Sequence, residues 1–370
     1  MGLHIVAPLQ RKQKGNDSSV NTSCGRRNTE TYIVFMESFR LRFHNFLSFH
    51  LSIIAKIFRW LFSSLPTIKR FPLFVPFIDA YISLLFRFAN LSPCTLDLDD
   101  QTTIHFWAPN HRRYDKPNLV LVHGYGGDAK WQFMYQVKSL AESFNLYIPD
   151  LLFFGKSYTT RKERTEEFQA KCVVQGLKEL GVRNCSMFAI SYGGFVGYRM
   201  AEMNPQMVEK VVILSSGVGC SKDQKEEQLK KIGRDPVELL IPEKPEDLHV
   251  LVNLSIYKYN HFKWAPDYFL QEFIDMISRT YLKEKQELVH HLLSNHTDCR
   301  LPILNQETLL IWGDKDRVFP LMFGYQLQRH LGPRAKLEII KNTGHAANIE
   351  SPDSVNALIK AFILPQSKDL

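Results

Sequence analysis

Residues 188–197 read FAISYGGFVG and surround a single serine, Ser191, with small residues. The apolar run CSMFAI at 185–190 predicts a buried strand, and the residues that follow the serine predict a helix. A strand that passes directly into a helix makes a sharp turn with strained backbone angles, where bulky neighbours would collide. Ala189 and Gly193, two positions before and after the serine, relieve that crowding. The stretch therefore predicts a turn that lifts the Ser191 hydroxyl above a sheet edge, as a nucleophile requires.

Strands and helices alternate on both sides of this turn. A hairpin is predicted around Asp99 and Asp100, where polar and apolar residues alternate. Further strands are predicted at 118–124, 145–150, 185–190, 210–216, 307–314 and 336–340. Helices are predicted at about 131–143, 164–180, 194–203, 322–330 and 351–362. This alternation predicts an α/β fold with a mostly parallel central sheet flanked by helices.

The alternation is interrupted between residues 218 and 303, where the sequence is charged and helical. We interpret 218–303 as a helical lid inserted before the last two strands, on a core formed by 91–217 and 304–370. The lid is rich in aromatic residues, namely Tyr257, Tyr259, Phe262, Trp264, Tyr268 and Phe269. These residues line a substrate pocket or form the small core of the lid itself, and the sequence leaves both readings open.

A serine hydroxyl is a weak nucleophile that needs a base and a group to orient that base. In this fold the partners follow in the order Ser, Asp, His. Asp316 lies in the loop after the next-to-last strand and is the predicted acid, with Asp314 as its rival. His345 follows the last strand and is the predicted base. His345 would take the Ser191 proton, and Asp316 would fix the imidazole tautomer and stabilise the imidazolium.

The attack would create an oxyanion that two backbone amides should meet. One is the amide of Tyr192, directly after the serine, and the other is that of Tyr125 in HGYGG, after the strand 118–124. The glycines of this loop allow close approach to a substrate. We predict that substrate also contacts four residues: Gly124, Trp131, Phe262 and Trp264.

These motifs resemble the α/β-hydrolase superfamily in its lipase and esterase-like branch. The resemblance covers about residues 92–365 and rests on VHGYGG, IPDLLFFGKS, ISYGGFVG, IWGDKDRVFP and GHAANIESP. It implies the α/β-hydrolase fold, a triad of Ser191, Asp316 and His345, and an oxyanion hole at Tyr125 and Tyr192. Ala189 departs mildly from the usual glycine of the serine turn. The stretch DLLFFGKSYTTR is similar to plant monoacylglycerol-lipase-like members.

The N-terminal quarter carries all of the excess positive charge. Residues 1–90 hold 12 Lys and Arg against 4 Asp and Glu, whereas the remaining 280 residues hold 34 of each. We expect residues 1–35 to be disordered or a targeting segment, with a chloroplast transit peptide as the weaker reading. Residues 36–90 interleave cations with Phe, Leu and Ile, which predicts an amphipathic helical segment on an anionic membrane surface. The alternatives are packing on the body and a true membrane span.

Several partner classes are excluded by the pattern. A balanced body gives no basic patch of the kind that nucleic acid needs. The six cysteines show no metal-ligand spacing, and no dinucleotide or phosphate-binding motif stands in a fitting context, so we expect neither metal nor cofactor. No secretory signal is visible, which predicts an intracellular protein, and segment 36–90 predicts its peripheral association with a membrane.

The leading functional hypothesis is a serine hydrolase that cleaves carboxylic esters, with a small-molecule or lipid ester of apolar acyl group as substrate. Three alternatives remain: a C–C bond hydrolase with the same triad, a non-catalytic receptor whose hydrolase pocket binds a ligand, and an acyltransferase.

Overall fold

The computed structural model describes part of the unit Pro72–Leu370. The described residues are 72, 74–258, 265–294 and 301–365. The predictions for residues 1–71, which include most of the basic segment 36–90, lie outside the described residues.

The described residues contain nine strands, which form one sheet. The strands are β1 Leu91–Asp97, β2 Thr102–Pro109, β3 Asn118–Val122, β4 Asn145–Pro149, β5 Tyr158–Thr159, β6 Cys185–Ile190, β7 Val208–Leu214, β8 Glu307–Gly313 and β9 Ala335–Ile340. Their order across the sheet is β1-β2-β4-β3-β6-β7-β8-β9, and β5 pairs with β2 outside this order. The pairs of β2 with β1, β4 and β5 are antiparallel, and every pair from β4 to β9 is parallel. The predicted mostly parallel sheet is confirmed.

Helices cover the sheet and fill the region between β7 and β8. In the described ranges they are α1 Phe74–Phe88, α2 Ala129–Phe133, α3 Val137–Ala141, α4 Glu166–Glu179, α5 Tyr192–Met203, α6 Lys222–Ile232, α7 Pro236–Leu240, α8 Pro245–Ser255, α9 Asp267–Phe273, α10 Leu282–Ser294, α11 Leu321–Leu331, α12 Ala347–Glu350 and α13 Pro352–Ile363. A π-helix, Ile274–Ser278, continues α9, and a 3₁₀ turn, Gly332–Arg334, follows α11.

The central strands are buried on both faces, which explains their continuous apolar sequence. Every residue of β3, β4 and β6 is buried. Side chains of a strand alternate between faces. Accordingly, Leu119 and Leu121 of β3 belong to one hydrophobic cluster, whereas Val120 and Val122 belong to another.

The prediction of one continuous helix at about 131–143 was wrong, because the structure has two short helices there, α2 and α3. The Asp128 carboxylate accepts a hydrogen bond from the Trp131 amide at 3.1 Å, so α2 begins earlier, at Ala129. The chain then turns at Gln136, whose side-chain Nε2 donates to the Asn348 carbonyl at 2.7 Å. This long-range hydrogen bond holds the break between the two helices, and nothing in the local periodicity reveals it.

The region between β7 and β8 contains α6 to α10 and the π-helix, and we call it the helical insertion. Its first helix begins with a capping box between Ser221 and Gln224 and ends at Gly233, whose φ of +69° favours glycine. The described residues of the stretch that interrupts the alternation are mainly helical.

Helix α1 precedes the sheet and packs on its antiparallel side. Val75, Ile82 and Phe86 are buried, and the Phe86 ring lies 5.1 Å from the Trp107 ring, centroid to centroid. Across the residues that the structure describes, no helix combines the length and apolar character needed to cross a membrane.

Candidate active site

Ser191 lies at the turn between β6 and α5 in a strained backbone conformation. Its φ is +52°, in the left-handed region that favours glycine. The main-chain atoms of the turn are held on both sides: the Ser191 amide donates to the Leu214 carbonyl at 3.0 Å, and the Ser191 carbonyl accepts from the Ser216 hydroxyl at 2.7 Å. Such strain persists where the surrounding structure over-determines it, typically at functional sites.

The glycines around Ser191 are required by close packing. A Cβ added to Gly193 would lie 2.4 Å from the His123 carbonyl oxygen, and one added to Gly194 would lie 2.5 Å from the Ser216 hydroxyl. These distances are too short for any side chain. The small residues therefore let helix α5 pass directly beside the neighbouring strands.

The usual glycine before the serine is replaced by Ala189, and its methyl group has room because residue 197 is glycine. A Cβ on Gly197 would approach the Ala189 Cβ to 2.9 Å. Gly197, in helix α5, thus leaves the space that the methyl group of Ala189 occupies.

Three side chains from distant parts of the chain meet at this turn. The His345 Nε2 lies 3.0 Å from the Ser191 Oγ, and the His345 Nδ1 lies 3.0 Å from the Asp316 Oδ2. The imidazole lies between the serine hydroxyl and the aspartate carboxylate. Its ring packs edge-on against that of Phe319, with 5.5 Å between the ring centroids. This arrangement suits proton transfer from the hydroxyl to the imidazole.

Asp316, and not its rival Asp314, contacts the imidazole. The second oxygen of Asp316 accepts hydrogen bonds from the Val318 and Phe319 amides at 2.8 and 2.9 Å, so the carboxylate is fixed and fully buried. Asp314 instead lies beside Lys315, with 3.5 Å between the charged atoms.

Glu350 fixes the His345 loop and joins it to the helical insertion. Its carboxylate accepts hydrogen bonds from the amides of Gly344 at 2.8 Å and Tyr257 at 3.1 Å, and also from the Lys258 amide. The sequence analysis missed this role, since the two sides of the contact are about 90 residues apart.

The loop 123–128 also lies beside Ser191. A Cβ on Gly124 would lie 3.0 Å from the Ser191 Cβ, so the loop abuts the serine. Gly126 and Gly127 have φ values of +96° and +102°. No described residue accepts a hydrogen bond from the Tyr125 amide, and the Tyr192 amide, as the first of α5, has no acceptor within its helix. Both amides are thus available to a developing oxyanion.

Gln132 holds this loop with its side-chain amide. Its Oε1 accepts from the Gly124 amide at 2.7 Å, and its Nε2 donates to the carbonyls of Gly124 at 2.9 Å and Gly126 at 3.2 Å. The Gln132 carbonyl in turn accepts a hydrogen bond from Asn348 Nδ2 at 2.8 Å. Asn348 lies three residues after His345 in the sequence. Gln132 was not predicted as a site residue, because no local signal marks it.

Tyr125 links the loop to the helical insertion. Its hydroxyl donates to the Lys285 carbonyl at 2.7 Å, and its ring packs edge-on against Phe154 and Tyr192 at 5.1 and 5.8 Å. Burial raises the pKa of the Tyr125 phenol well above its ordinary value, so the hydroxyl remains a donor. The Lys285 ammonium donates to the carbonyls of Ile277 and Ser278, at the end of the π-helix.

Titratable groups are buried beneath the loop. The pKa of Asp128 is raised to about 7, mainly by burial and secondly by the negative charge of the neighbouring Asp150. Burial lowers the pKa of Lys285 to about 8, against the opposing influence of Asp128. Burial also lowers the pKa of His123, whose Nε2 accepts from the Leu151 amide at 2.9 Å, so His123 is neutral and structural.

The predicted substrate-contacting residues have different surroundings. Gly124 lies against Ser191. Trp131 is packed between α1 and the insertion, since its indole nitrogen donates to Asp79 at 3.1 Å and its ring lies 5.1 Å from that of Phe273. Its contact with substrate stays a prediction. Phe262 and Trp264 lie outside the described residues.

Metal ligands are not clustered in the described ranges: no group of three or more His, Cys, Asp and Glu side chains could hold an ion there. The arrangement of Ser191, His345 and Asp316 suits proton transfer through the imidazole and transfer of an acyl group to the serine oxygen.

Comparison with known proteins agrees with this geometry. The model of the alpha/beta hydrolase family matches residues 119–358. A 2-hydroxy-6-oxononadienedioate/2-hydroxy-6-oxononatrienedioate hydrolase from a Pseudomonas species is 26% identical over 262 residues, which cover 66% of this chain and 87% of that protein. Lipase 1 of Psychrobacter immobilis is 26% identical over 261 residues, or 66% of this chain and 76% of the lipase.

A solved structure described as a membrane phospholipase A, a bacterial virulence factor, has the same fold. It superposes with a TM-score of 0.64 at 21% sequence identity and covers 87% of this chain and 97% of its own. These relatives leave the resemblance to plant members a prediction. The matched residues contain Ser191, Asp316 and His345 together with most of the sheet. The chain belongs to the α/β-hydrolase family.

Proposed function

We propose that this chain is a serine hydrolase that cleaves carboxylic esters with an apolar acyl group. The observation that carries the proposal is the pair of 3.0 Å contacts that His345 makes, with the Ser191 Oγ on one side and the Asp316 carboxylate on the other. A base between a hydroxyl and a buried carboxylate is the arrangement that activates a serine for attack on a carbonyl.

The first half of the proposed reaction acylates Ser191. The Oγ attacks the ester carbonyl carbon while its proton passes to His345 Nε2. The amides of Tyr125 and Tyr192 stabilise the oxyanion of the tetrahedral intermediate. When the intermediate collapses, the imidazolium returns the proton to the departing alcohol, and the acyl group stays on Ser191. Asp316 keeps the proton of Nδ1 in place throughout.

The second half restores the enzyme. His345 removes a proton from water, the hydroxide oxygen attacks the acyl carbon, and the same two amides hold the second oxyanion. Collapse releases the carboxylic acid and returns the proton to Ser191. The cycle is complete without a metal or another cofactor.

The proposed substrate class is supported by the name of a relative and by the position of the helical insertion. The relatives include a protein named as a lipase. The helical insertion lies beside the loop 123–128, since a Cβ added to Gly126 would lie 3.9 Å from Leu251 and one added to Gly127 would lie 3.9 Å from Phe273. We assign residues 218–303 as the lid of this enzyme and 91–217 with 304–370 as its catalytic core. An anionic membrane surface is the proposed partner of segment 36–90.

Replacement of the nucleophile is the direct test. Ser191→Ala should lower turnover of nitrophenyl esters to background, with the largest absolute loss on medium acyl chains. Ser354→Ala, an exposed serine on α13, is the matched control and should turn over like the wild type. Ester cleavage by the Ser191→Ala protein at the wild-type rate would refute the proposal.

The two aspartates near the site provide a second test. Asp316→Asn should lower kcat by about 10³- to 10⁴-fold, because the imidazole loses its orienting charge. Asp314→Asn should change kcat less than about threefold, since this residue makes no contact with the imidazole. The reverse order of effects would assign the acid to Asp314.

C–C bond hydrolysis is the second candidate, and the 26% identical Pseudomonas hydrolase favours it. A panel that contains nitrophenyl esters, acylglycerols and a vinylogous diketone acid separates the two. Turnover of the diketone with a kcat/KM above that of every ester would support this candidate over the ester hydrolase.

A further inference from the structure

Helix α1 presents an apolar face to solvent. Five large apolar side chains recur at intervals of three and four residues along its outer side and are exposed: Phe74, Phe77, Tyr81, Leu84 and Phe88. Phe77 and Phe88 are 75% and 85% exposed. We call these five residues the α1 face. A surface helix that contacts only the rest of its own protein has polar residues on its outer side. The exposed apolar residues of the α1 face therefore indicate that this side contacts a membrane or another molecule.

The polar anchors of α1 lie on its inner side. Asp79 contacts the Lys130 ammonium at 2.7 Å and accepts from the Trp131 indole at 3.1 Å. The amides of Phe74 and Val75 donate to the Glu272 carboxylate, at 3.0 and 3.1 Å. The helix is thus fixed to the body by charged and polar contacts, and its exposed face is held in a defined position.

The exposed charge of α1 itself is positive. The only acidic residue of α1, Asp79, is turned inward against Lys130, whereas Arg87 is exposed near the end of the helix. Directly before the helix, residues 36–73 contain six Lys and Arg and one Glu. An aromatic and aliphatic surface that carries an exposed arginine and follows a basic segment in sequence is typical of helices that lie in a membrane interface.

We propose that the α1 face binds the interface of a lipid bilayer, with the rings of Phe77 and Phe88 inserted among the lipid chains and Arg87 among the headgroups. The proposal does not depend on the proposed catalysis. It differs from electrostatic attraction of segment 36–90 to anionic lipid because the described side chains supply apolar insertion, which salt does not screen.

Two other occupants fit the charges less well. As an occupant of the α1 face, residues 36–71 of the same chain would bring six Lys and Arg and one Glu to a helix whose own exposed charge is Arg87. If a second copy covered it, two Arg87 side chains and two basic segments would meet. Both arrangements bring like charges together, whereas a bilayer supplies phosphate groups beside its apolar interior.

The position of α1 connects this surface to the proposed lid. The Phe74 ring lies 5.3 Å from that of Tyr268, in α9, and Glu272 of the same helix binds the first amides of α1. A bilayer bound to the α1 face would therefore lie beside α9 of the helical insertion.

The test measures the partition of the full chain onto phosphatidylcholine vesicles in about 0.5 M salt, where electrostatic attraction is screened. The wild type should co-sediment. The triple variant Phe77→Gln, Leu84→Gln, Phe88→Gln should partition about 100-fold more weakly, as expected for the loss of three partly inserted apolar side chains. Glutamine is a good helix former, so α1 should persist.

Two control variants sharpen the test. Tyr114→Gln, Met322→Gln, Tyr325→Gln removes three exposed apolar side chains from other elements and should partition like the wild type. Phe77→Leu, Phe88→Leu keeps the face apolar and should stay within about threefold of wild type. Both variants and the glutamine variant should keep wild-type turnover of a soluble ester, which shows that they are folded.

Several results would overturn the proposal. One is a wild type that stays in solution, and another is equal partition of wild type and glutamine variant. A wild-type dimer that becomes monomeric in the glutamine variant would identify a second copy as the occupant. A large loss of unfolding stability in that variant without vesicles would identify a segment of the same chain.

Discussion

The two loops beside the Ser191 hydroxyl are held in place by different means. The nucleophile turn is fixed by the main chain, since the Ser191 amide binds the Leu214 carbonyl and Gly193 leaves no space beside the carbonyl of His123. The loop 123–128, which we call the oxyanion loop because it carries the proposed donor Tyr125, is fixed by side chains, namely the amide of Gln132 and the hydroxyl of Tyr125.

This difference decides what each loop tolerates. A turn fixed by main-chain packing needs small residues at given positions, and a single added methyl group disrupts it. A loop fixed by side-chain hydrogen bonds should keep its fold when one bond is lost, but it should place the oxyanion donors less accurately. The nucleophile turn should therefore respond to substitution in stability, and the oxyanion loop in kcat.

The largest effect is expected at the nucleophile turn. Gly193→Ala places a Cβ 2.4 Å from the His123 carbonyl oxygen, so the free energy of unfolding should fall by about 3 kcal/mol or more, with loss of activity. Gly233→Ala is the control, because its Cβ would meet nothing within 4 Å and only its φ of +69° opposes a side chain, at a cost of about 1 kcal/mol. Urea unfolding measures both, and equal losses would mean that main-chain packing does not fix the turn.

The oxyanion loop should show the opposite response at Gln132. Gln132→Met keeps the side-chain length but removes its hydrogen bonds to Gly124 and Gly126, so kcat should fall about 10- to 100-fold with little change in KM. Gln175→Met, at an exposed glutamine on α4, should leave both constants unchanged. A rise in KM alone would show that Gln132 acts on ground-state binding and not on the oxyanion.

The contact of Tyr125 with the insertion should have a smaller effect. Tyr125→Phe removes one hydrogen bond, worth about 1 kcal/mol, so kcat/KM should fall by up to about fivefold. Hydrogen exchange of the amides in α10 should become faster, since Lys285 loses its partner on the loop. Tyr114→Phe, at a 95% exposed ring, is the control. Unchanged exchange in α10 would contradict the link between loop and insertion.

A further effect, on the pH dependence of stability, concerns the carboxylate at the end of the loop 123–128. Burial raises the pKa of Asp128 to about 7, from about 3.9 in the unfolded chain, so the wild type should lose stability as pH rises from about 4 to about 7. Asp128→Asn keeps an N-cap acceptor for Trp131 and removes this titration. The variant should match the wild type near pH 4.5 and exceed it by about 1 kcal/mol or more near pH 8 in urea unfolding. A variant that is less stable than the wild type at pH 8 would mean that the fold stabilises the charged carboxylate.

The same difference explains what could be predicted from the sequence. Ser191, Asp316 and His345 each follow a strand at a position that local patterns reveal, and the sheet that brings them together follows from the alternation of strands and helices. Gln132 and Glu350 were missed because their partners lie in other loops, and no periodicity marks a side chain that binds a distant main chain. The break between α2 and α3 was missed for the same reason, since it depends on the contact of Gln136 with Asn348.

The central claim is that the His345 imidazole makes Ser191 a nucleophile, and phosphonylation by a fluorophosphonate tests it most directly. Intact-mass and peptide analysis should find one adduct per chain, on Ser191, and His345→Ala should abolish it while the protein stays folded. An adduct on another serine, or labelling of Ser191 at the same rate without His345, would contradict the account.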